Sequence, residues 1–185
     1  AAVLEEALVD EGIELFTNTE IEVIEPNENG VSIQFLHGNR SVVRQAQHVF
    51  NALGRRPLTD SIGLDELGIE RKKSGHIQTD EFQMTTQEGI YAAGDCAGPH
   101  ELVHIAILQG ETAARHALGL KARPVDYDKL LSVVFTDPQI ASVGPSEQEL
   151  KERFGDDLKS AEFPFSDHGR SILMEARRGY VRIFS

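Results

Sequence analysis

In Gly89-Ile90-Tyr91-Ala92-Ala93-Gly94-Asp95 a short apolar run stops at a glycine that is followed at once by an acid. The small side chains of Ala92 and Ala93 suit a strand buried on both faces, and Gly94 lets the backbone turn sharply and approach a ligand closely. Asp95 then stands at the strand's carboxyl end. In open α/β sheets ligands bind along that edge, and a carboxylate there accepts hydrogen bonds from hydroxyl groups. An Asx turn accounts for the same seven residues, so their neighbours decide between the two readings.

The next segment, Leu102-Val103-His104-Ile105-Ala106-Ile107-Leu108-Gln109-Gly110-Glu111-Thr112-Ala113-Ala114-Arg115-His116-Ala117-Leu118, reads as one helix closed by Gly119, with Pro99 harmlessly upstream. Ala106, Gly110, Ala113 and Ala117 recur at helical spacing and form a small-residue stripe that permits close backbone approach. The helix begins several residues after Asp95. Its free amides and positive dipole end are therefore expected to point into the same pocket as the carboxylate.

The run from Thr79-Asp80-Glu81-Phe82 through Gly94-Asp95 resembles the flavin-contacting segment of the pyridine nucleotide-disulfide oxidoreductases, the family of lipoamide dehydrogenase, glutathione reductase and mercuric reductase. Further on, Val133-Val134-Phe135-Thr136-Asp137-Pro138-Gln139-Ile140-Ala141-Ser142-Val143-Gly144 is similar to the signature that opens that family's dimerisation domain. Upstream, Asn51-Ala52-Leu53-Gly54-Arg55-Arg56-Pro57 is similar to the family's Ala-Thr-Gly-Arg-x-Pro segment, with Leu53 where threonine is usual. The resemblance covers nearly the whole chain but only the second half of a family member. It implies FAD and NAD(P)H as cofactors, hydride transfer from NADH or NADPH to FAD, onward transfer to a disulfide or another acceptor, and a homodimer formed through the C-terminal segment. It also implies cofactor contacts at Gly54, Arg55, Gly94, Asp95, Leu102, Val103 and His104. Asp95 would bond the ribityl or phosphate region. The backbone amides of residues 102–104 would donate to the pyrimidine carbonyl and favour the negative charge of the reduced ring.

The family's other chemical parts are not in this sequence. There is no Gly-x-Gly-x-x-Gly phosphate loop, and a single cysteine, Cys96, forms no internal disulfide. The resemblance places the C-terminal His and Glu acid–base pair beyond Ser185. The chain, which begins at Ala1 and closes inside what reads as a strand, is accordingly expected to be a fragment that is inert by itself, with no catalytic residue of its own. Two alternatives stay open: a flavoprotein reductase or transhydrogenase without the cysteine pair, and a non-catalytic dimerising module on the same fold.

With 185 residues, 40% of them apolar, the chain can build a sizeable core as one or two units. One cysteine argues against a stapled secreted domain, and no apolar run approaches the ~20 residues that cross a bilayer. A cytoplasmic setting without membrane contact is expected. The net charge of −12 is concentrated at the front, where Glu5, Glu6, Asp10, Glu11, Glu14, Glu20, Glu22, Glu25 and Glu28 precede the first basic residue, Arg40. Such a surface repels phosphate backbones, so nucleic-acid binding is not expected.

Residues 3–10 read as a helix end stopped by Gly12, and residues 13–16 as a buried strand. Residues 19–24, 31–36 and 41–43 alternate apolar and polar side chains and predict a three-stranded meander, with residues 49–53 re-entering the sheet. Residues 61–67 read as a helical turn, 76–79 as a strand, and Arg123-Pro124-Val125-Asp126 as a hinge. Beyond it, strands at 131–136, 160–163 and 179–184 and a helix at 146–154 give a β-α-β-β order, the helix opened by a Ser146/Glu149 capping box. The expected class is α/β with α+β: residues 1–57 as the trailing part of an NAD(P)-binding domain, 58–124 as the second segment of an FAD-binding domain, and 125–185 as the start of an α+β dimerisation domain. Cys96 reads as packing, the His104 imidazole as a packed or surface group without proton-transfer duty, and Arg55 and Arg56 as near a dinucleotide phosphate or simply solvated. The remaining histidines show no ligand spacing, so no metal site is expected.

Overall fold

A computed structural model describes residues 2–185 and divides them into two compact units. One holds the described residues up to Asn51 together with Asp128–Ser185; the other is Ala52–Tyr127. Among the described residues no helix is long and apolar enough to cross a membrane.

The chain opens with helix α1 (Ala2–Asp10), which ends where Gly12 takes a φ of 83°. Three antiparallel strands follow in the order β1-β2-β3: β1 (Thr19–Asn27), β2 (Gly30–His37) and β3 (Arg40–Ala46). This is the predicted meander, each strand longer than its alternating core because the two-residue turns pair the strands out to Asn27↔Gly30 and His37↔Arg40. The register of β1 slips between Ile21 and Val23. The Glu22 carboxylate at this irregularity accepts from Gln34 Nε2 at 3.0 Å and Ser41 Oγ at 3.4 Å.

Residues 13–16 do not form the expected buried strand. Ile13 and Leu15 are exposed, and the segment docks on the meander through one side chain: Phe16 lies 5.0 Å from the Phe35 ring, with the Arg44 guanidinium 4.9 Å above it. Arg44 also pairs with Glu14 and, by that hydrogen bond, holds the Glu14 carboxyl below its ordinary pKa. Residues 49–53 likewise do not re-enter the sheet; Phe50 and Leu53 are exposed. Apolar runs specify a strand only when a neighbouring ladder is there to receive their backbone groups.

The second unit is built around Leu64, Ile69, Ile77, Ala92 and Ala97, with Ile90 and Cys96 packed against them. It has isolated bridges in place of strands: Arg71↔Ile77, Thr79↔Thr85 and Met84↔Tyr91. Neither 76–79 nor 89–95 is therefore a full strand, and the reason is again the scarcity of ladder partners. Residues 61–67 do form turns. Helix α2 (Val103–Ala117) forms as predicted, with Leu102 at its N-cap, Leu118 at its C-cap, and Gly119 beyond at a φ of 66°.

The trailing residues add to the first unit. Strands β4 (Leu131–Val134) and β5 (Ile140–Val143) pair with each other, helix α3 (Glu147–Phe154) follows, and β6 (Ser160–Pro164) and β7 (Tyr180–Phe184) form a second pair around the short helix α4 (Gly169–Leu173). The order is thus β-β-α-β-α-β. The predicted β-α-β-β order omitted β5 and α4, four and five residues long, too short to develop a period. The capping box is present: Ser146 Oγ accepts from the Glu149 amide at 3.3 Å, and the Glu149 carboxylate accepts from the Ser146 amide at 2.7 Å.

Two outcomes test this frame. Gly30 has a φ of 140°, and a Cβ there would run into the Ala46 carbonyl, whereas Gly38, at 61°, has open space. Gly30→Ala is expected to cost roughly 2–3 kcal/mol in urea unfolding and Gly38→Ala about 1; equal costs would contradict the β2–β3 packing. Glu149 is held below its ordinary pKa, first by the Ser146 side chain. Its contribution to stability is therefore present above the unfolded carboxylate's pKa and lost as pH falls through the lower folded value. An NMR titration should find that depression in the native protein and a smaller one in Ser146→Ala, where the residue-146 amide and Arg153 still favour the carboxylate.

Candidate functional site

The site lies in the second unit, where a glycine turn meets the start of α2. Gly94 adopts a φ of 82°, and a Cβ placed on it would lie 3.3 Å from the Ala106 Cβ. The small-residue stripe thus works where it meets the turn. Ala113 is buried, Ala106 and Gly110 are half-buried, and Ala117 at the far end is exposed, contrary to its place in the predicted stripe. The turn closes on itself through Ala97 N–H and Gly98 N–H, which donate to the Gly94 carbonyl at 2.9 and 3.1 Å.

Asp95 projects from this turn and is 46% exposed. Its carboxylate lies 3.2 Å from Arg55 Nη1. The same guanidinium lies 3.9 Å from Glu101, whose other oxygen is 3.7 Å from His76 Nε2. Arg55, Asp95 and Glu101 are therefore neighbours, and Glu101 immediately precedes the α2 N-cap. With Arg55 70% exposed, the Arg55–Asp95 pair is solvated and is worth about 0–1 kcal/mol at most. Gly54, at a φ of 103° with no atom near a hypothetical Cβ, gives the Arg55 backbone its turn. Arg56 is exposed.

At the helix start, Leu102 supplies no side-chain cap and the first turn contains no acid. The amides of Val103 and His104 lack intrahelical acceptors, so they stay available as donors at the positive end of the helix dipole, with Glu101 one residue ahead of the N-cap. Val103 and His104 are exposed and Leu102 is half-buried. Cys96 donates weakly to the Ala93 carbonyl at 3.4 Å and packs on the core, in line with its reading as a packing residue. Arg55 thus links the acceptor Asp95 to Glu101, the residue just ahead of the N-cap of α2.

Sequence reasoning missed the residue that joins these parts. Gln109 is fully buried; its Oε1 accepts from Gly94 N–H at 2.7 Å, and its Nε2 donates to the Gly98 carbonyl at 2.7 Å and to Tyr127 Oη at 2.8 Å. The available signal was a polar side chain three residues after Ala106 on the same face. Glu101 was also missed, because a charged residue ahead of a helix carries no special pattern.

A profile described as pyridine nucleotide-disulphide oxidoreductase matches residues 1–110, and one described as the dimerisation domain of the same family matches residues 130–185. The chain is 34% identical over 183 residues to a dihydrolipoyl dehydrogenase of Geobacillus stearothermophilus, covering 99% of this chain and 38% of that protein. It is 33% identical over 184 residues to an NAD(P)H dehydrogenase (quinone) of Mycobacterium tuberculosis, covering 100% of this chain and 36% of that protein. The crystal structure of LpdA from Mycobacterium tuberculosis superposes with a TM-score of 0.86 at 33% identity, over 100% of this chain and 39% of that one. The chain therefore spans less than two fifths of the length of these three proteins.

Close packing at Gly94 gives a measurable coupling. Gly94→Ala is expected to destabilise the protein by about 1–3 kcal/mol, part from the positive φ and part from the Ala106 contact. Adding Ala106→Gly should recover only the contact part, a coupling of about 0.5 kcal/mol or more. Additive effects in chemical denaturation would mean that the turn does not rest on α2.

Proposed function

The chain belongs to the pyridine nucleotide-disulphide oxidoreductase family, and from that membership we propose that it is the trailing portion of a homodimeric, cytoplasmic flavoprotein that oxidises NADH or NADPH and reduces a disulfide. On this reading residues 1–57 complete an NAD(P)-binding domain, residues 58–124 are the second segment of an FAD-binding domain, and residues 125–185 begin the dimerisation domain. The match at 130–185 to a dimerisation domain supports the last of these segments, and the boundary at 57 rests on the family resemblance. The isolated chain is inactive, since its one cysteine provides no dithiol pair and it carries no glycine-rich phosphate loop.

Exposed apolar surface supports a larger protein. Phe50, Leu58, Phe135 and Leu173 are each more than 80% exposed.

The observation that carries the flavin reading is the Arg55 guanidinium shared by Asp95 and by Glu101, which directly precedes the uncapped start of α2. These groups fit FAD: the Asp95 carboxylate would bond the ribityl or phosphate region, Gly94 would allow close approach, and the amides of Leu102, Val103 and His104 would donate to the pyrimidine carbonyl. When bound, FAD supplies hydride acceptance and electron relay, chemistry that no side chain of this unit offers. The protein's share is to orient the ring and to favour negative charge beside the helix start. Arg55, weakly held on Asp95, is free to turn toward a phosphate.

A second reading, a flavoprotein reductase whose acceptor is not a disulfide, is favoured by the similarity to a protein named as a quinone-reducing NAD(P)H dehydrogenase.

The full-length protein is expected to purify yellow and to be bleached anaerobically by NADH or NADPH; a colourless protein that takes up no FAD would contradict the proposal. Asp95→Ala should weaken FAD binding about tenfold. Titration of thiols after reduction separates the readings: a reactive pair in addition to Cys96 supports the disulfide reductase, and its absence supports the alternative.

A further inference from the structure

Gln109 is an uncharged amide sealed in the interior of the second unit, where a leucine of similar size would gain more from burial. Its bonds explain its presence. The 94–98 turn satisfies the Gly94 carbonyl and the Ala97 and Gly98 amides internally, but it leaves the Gly94 N–H and the Gly98 C=O, at its two ends, directed outward. Gln109 meets both at 2.7 Å, the acceptor half of its amide on the N–H and the donor half on the C=O. The backbone partners dictate that orientation, because the flipped amide would set donor against donor and acceptor against acceptor. The second amide hydrogen goes to Tyr127 Oη at 2.8 Å, so both hydrogens are used.

We propose that Gln109 is the positioning residue of the flavin site, locking the turn that carries Asp95 to the helix whose first amides face the same ligand. The inference rests on the flavin reading above. Asp95 is the residue after Gly94, and His104 lies five residues before Gln109, about 7.5 Å along the helix axis. One side chain therefore fixes the spacing between the carboxylate and the helix-start donors. Sliding the turn along α2 would strand two backbone groups away from water, which makes the spacing rigid. A site that holds its ligand from two sides loses affinity when that spacing is free to vary.

The test uses the full-length protein with Gln109→Leu, Gln109→Glu and Thr112→Val. Thr112 is a neighbouring buried residue of the same helix whose hydroxyl donates to the Arg123 carbonyl at 3.0 Å, outside the turn. Three quantities are read: the melting temperature of the flavin-free protein, the FAD dissociation constant from fluorescence quenching, and the visible circular dichroism of bound FAD. Gln109→Leu is expected to raise the FAD dissociation constant about tenfold or more and to change the visible dichroism. Gln109→Glu keeps the acceptor for Gly94 N–H and should recover part of the affinity. Thr112→Val should lower the melting temperature while leaving the dissociation constant within about twofold of wild type. The inference is overturned if Gln109→Leu binds FAD as wild type does, or if Thr112→Val weakens binding as much as Gln109→Leu. Failure of the wild-type protein to take up FAD would overturn the flavin reading itself, and this inference with it.

Discussion

The bidentate grip of a buried amide on the two ends of a five-residue turn is the constraint on which the second unit's functional geometry depends. Gln109 satisfies Gly94 N–H and Gly98 C=O, two backbone groups that would otherwise be stranded in the interior. The near-contact of Gly94 with Ala106 then sets how far the turn stands from the helix. Hydrogen bonds fix position along the helix and packing fixes distance from it. Asp95 inherits both, although its own carboxylate is engaged only by a solvated arginine.

That division of labour suits a binding site. The structural bonds are dry and demanding, whereas the groups offered to a ligand are exposed: the Asp95 carboxylate, the Arg55 guanidinium and the amides of the first turn of α2. Exposed charge pairs exchange partners at little cost, while the buried scaffold does not move. Glu101 adds a second carboxylate beside the helix start, linked on one side to Arg55 and on the other to the half-buried ring of His76. A Cβ at Gly98 would lie 2.9 Å from that ring, so the turn is packed from this direction as well.

What was legible in the sequence was the structure that a local pattern specifies. Helix α2, its glycine stop, the meander and the Ser146/Glu149 capping box all depend on residues within a few positions of one another, and each formed where expected. Residues 13–16, 49–53 and 89–95 carry equally good strand sequences and are not strands, because a strand also needs a neighbour that local sequence does not name. Of the residues expected to contact a ligand, Arg55 and Asp95 are brought into contact, and Glu101 on the same guanidinium places them beside the residues that open α2. Gln109 was hidden for the opposite reason. Its importance comes wholly from distant backbone groups, and in the sequence it is one polar residue in an otherwise apolar stretch.

In the proposed site one flavin is held from two sides, by the Asp95 carboxylate and by the amides that open α2. A crystal structure of the full-length protein loaded with FAD is the decisive test. Asp95 is expected within hydrogen-bond reach of the ribityl–phosphate part and the Val103 and His104 amides facing the ring's pyrimidine carbonyl, with the Gln109 bonds to Gly94 and Gly98 intact. A flavin seated elsewhere, or a turn and helix start that face away from each other across packed side chains, would contradict it.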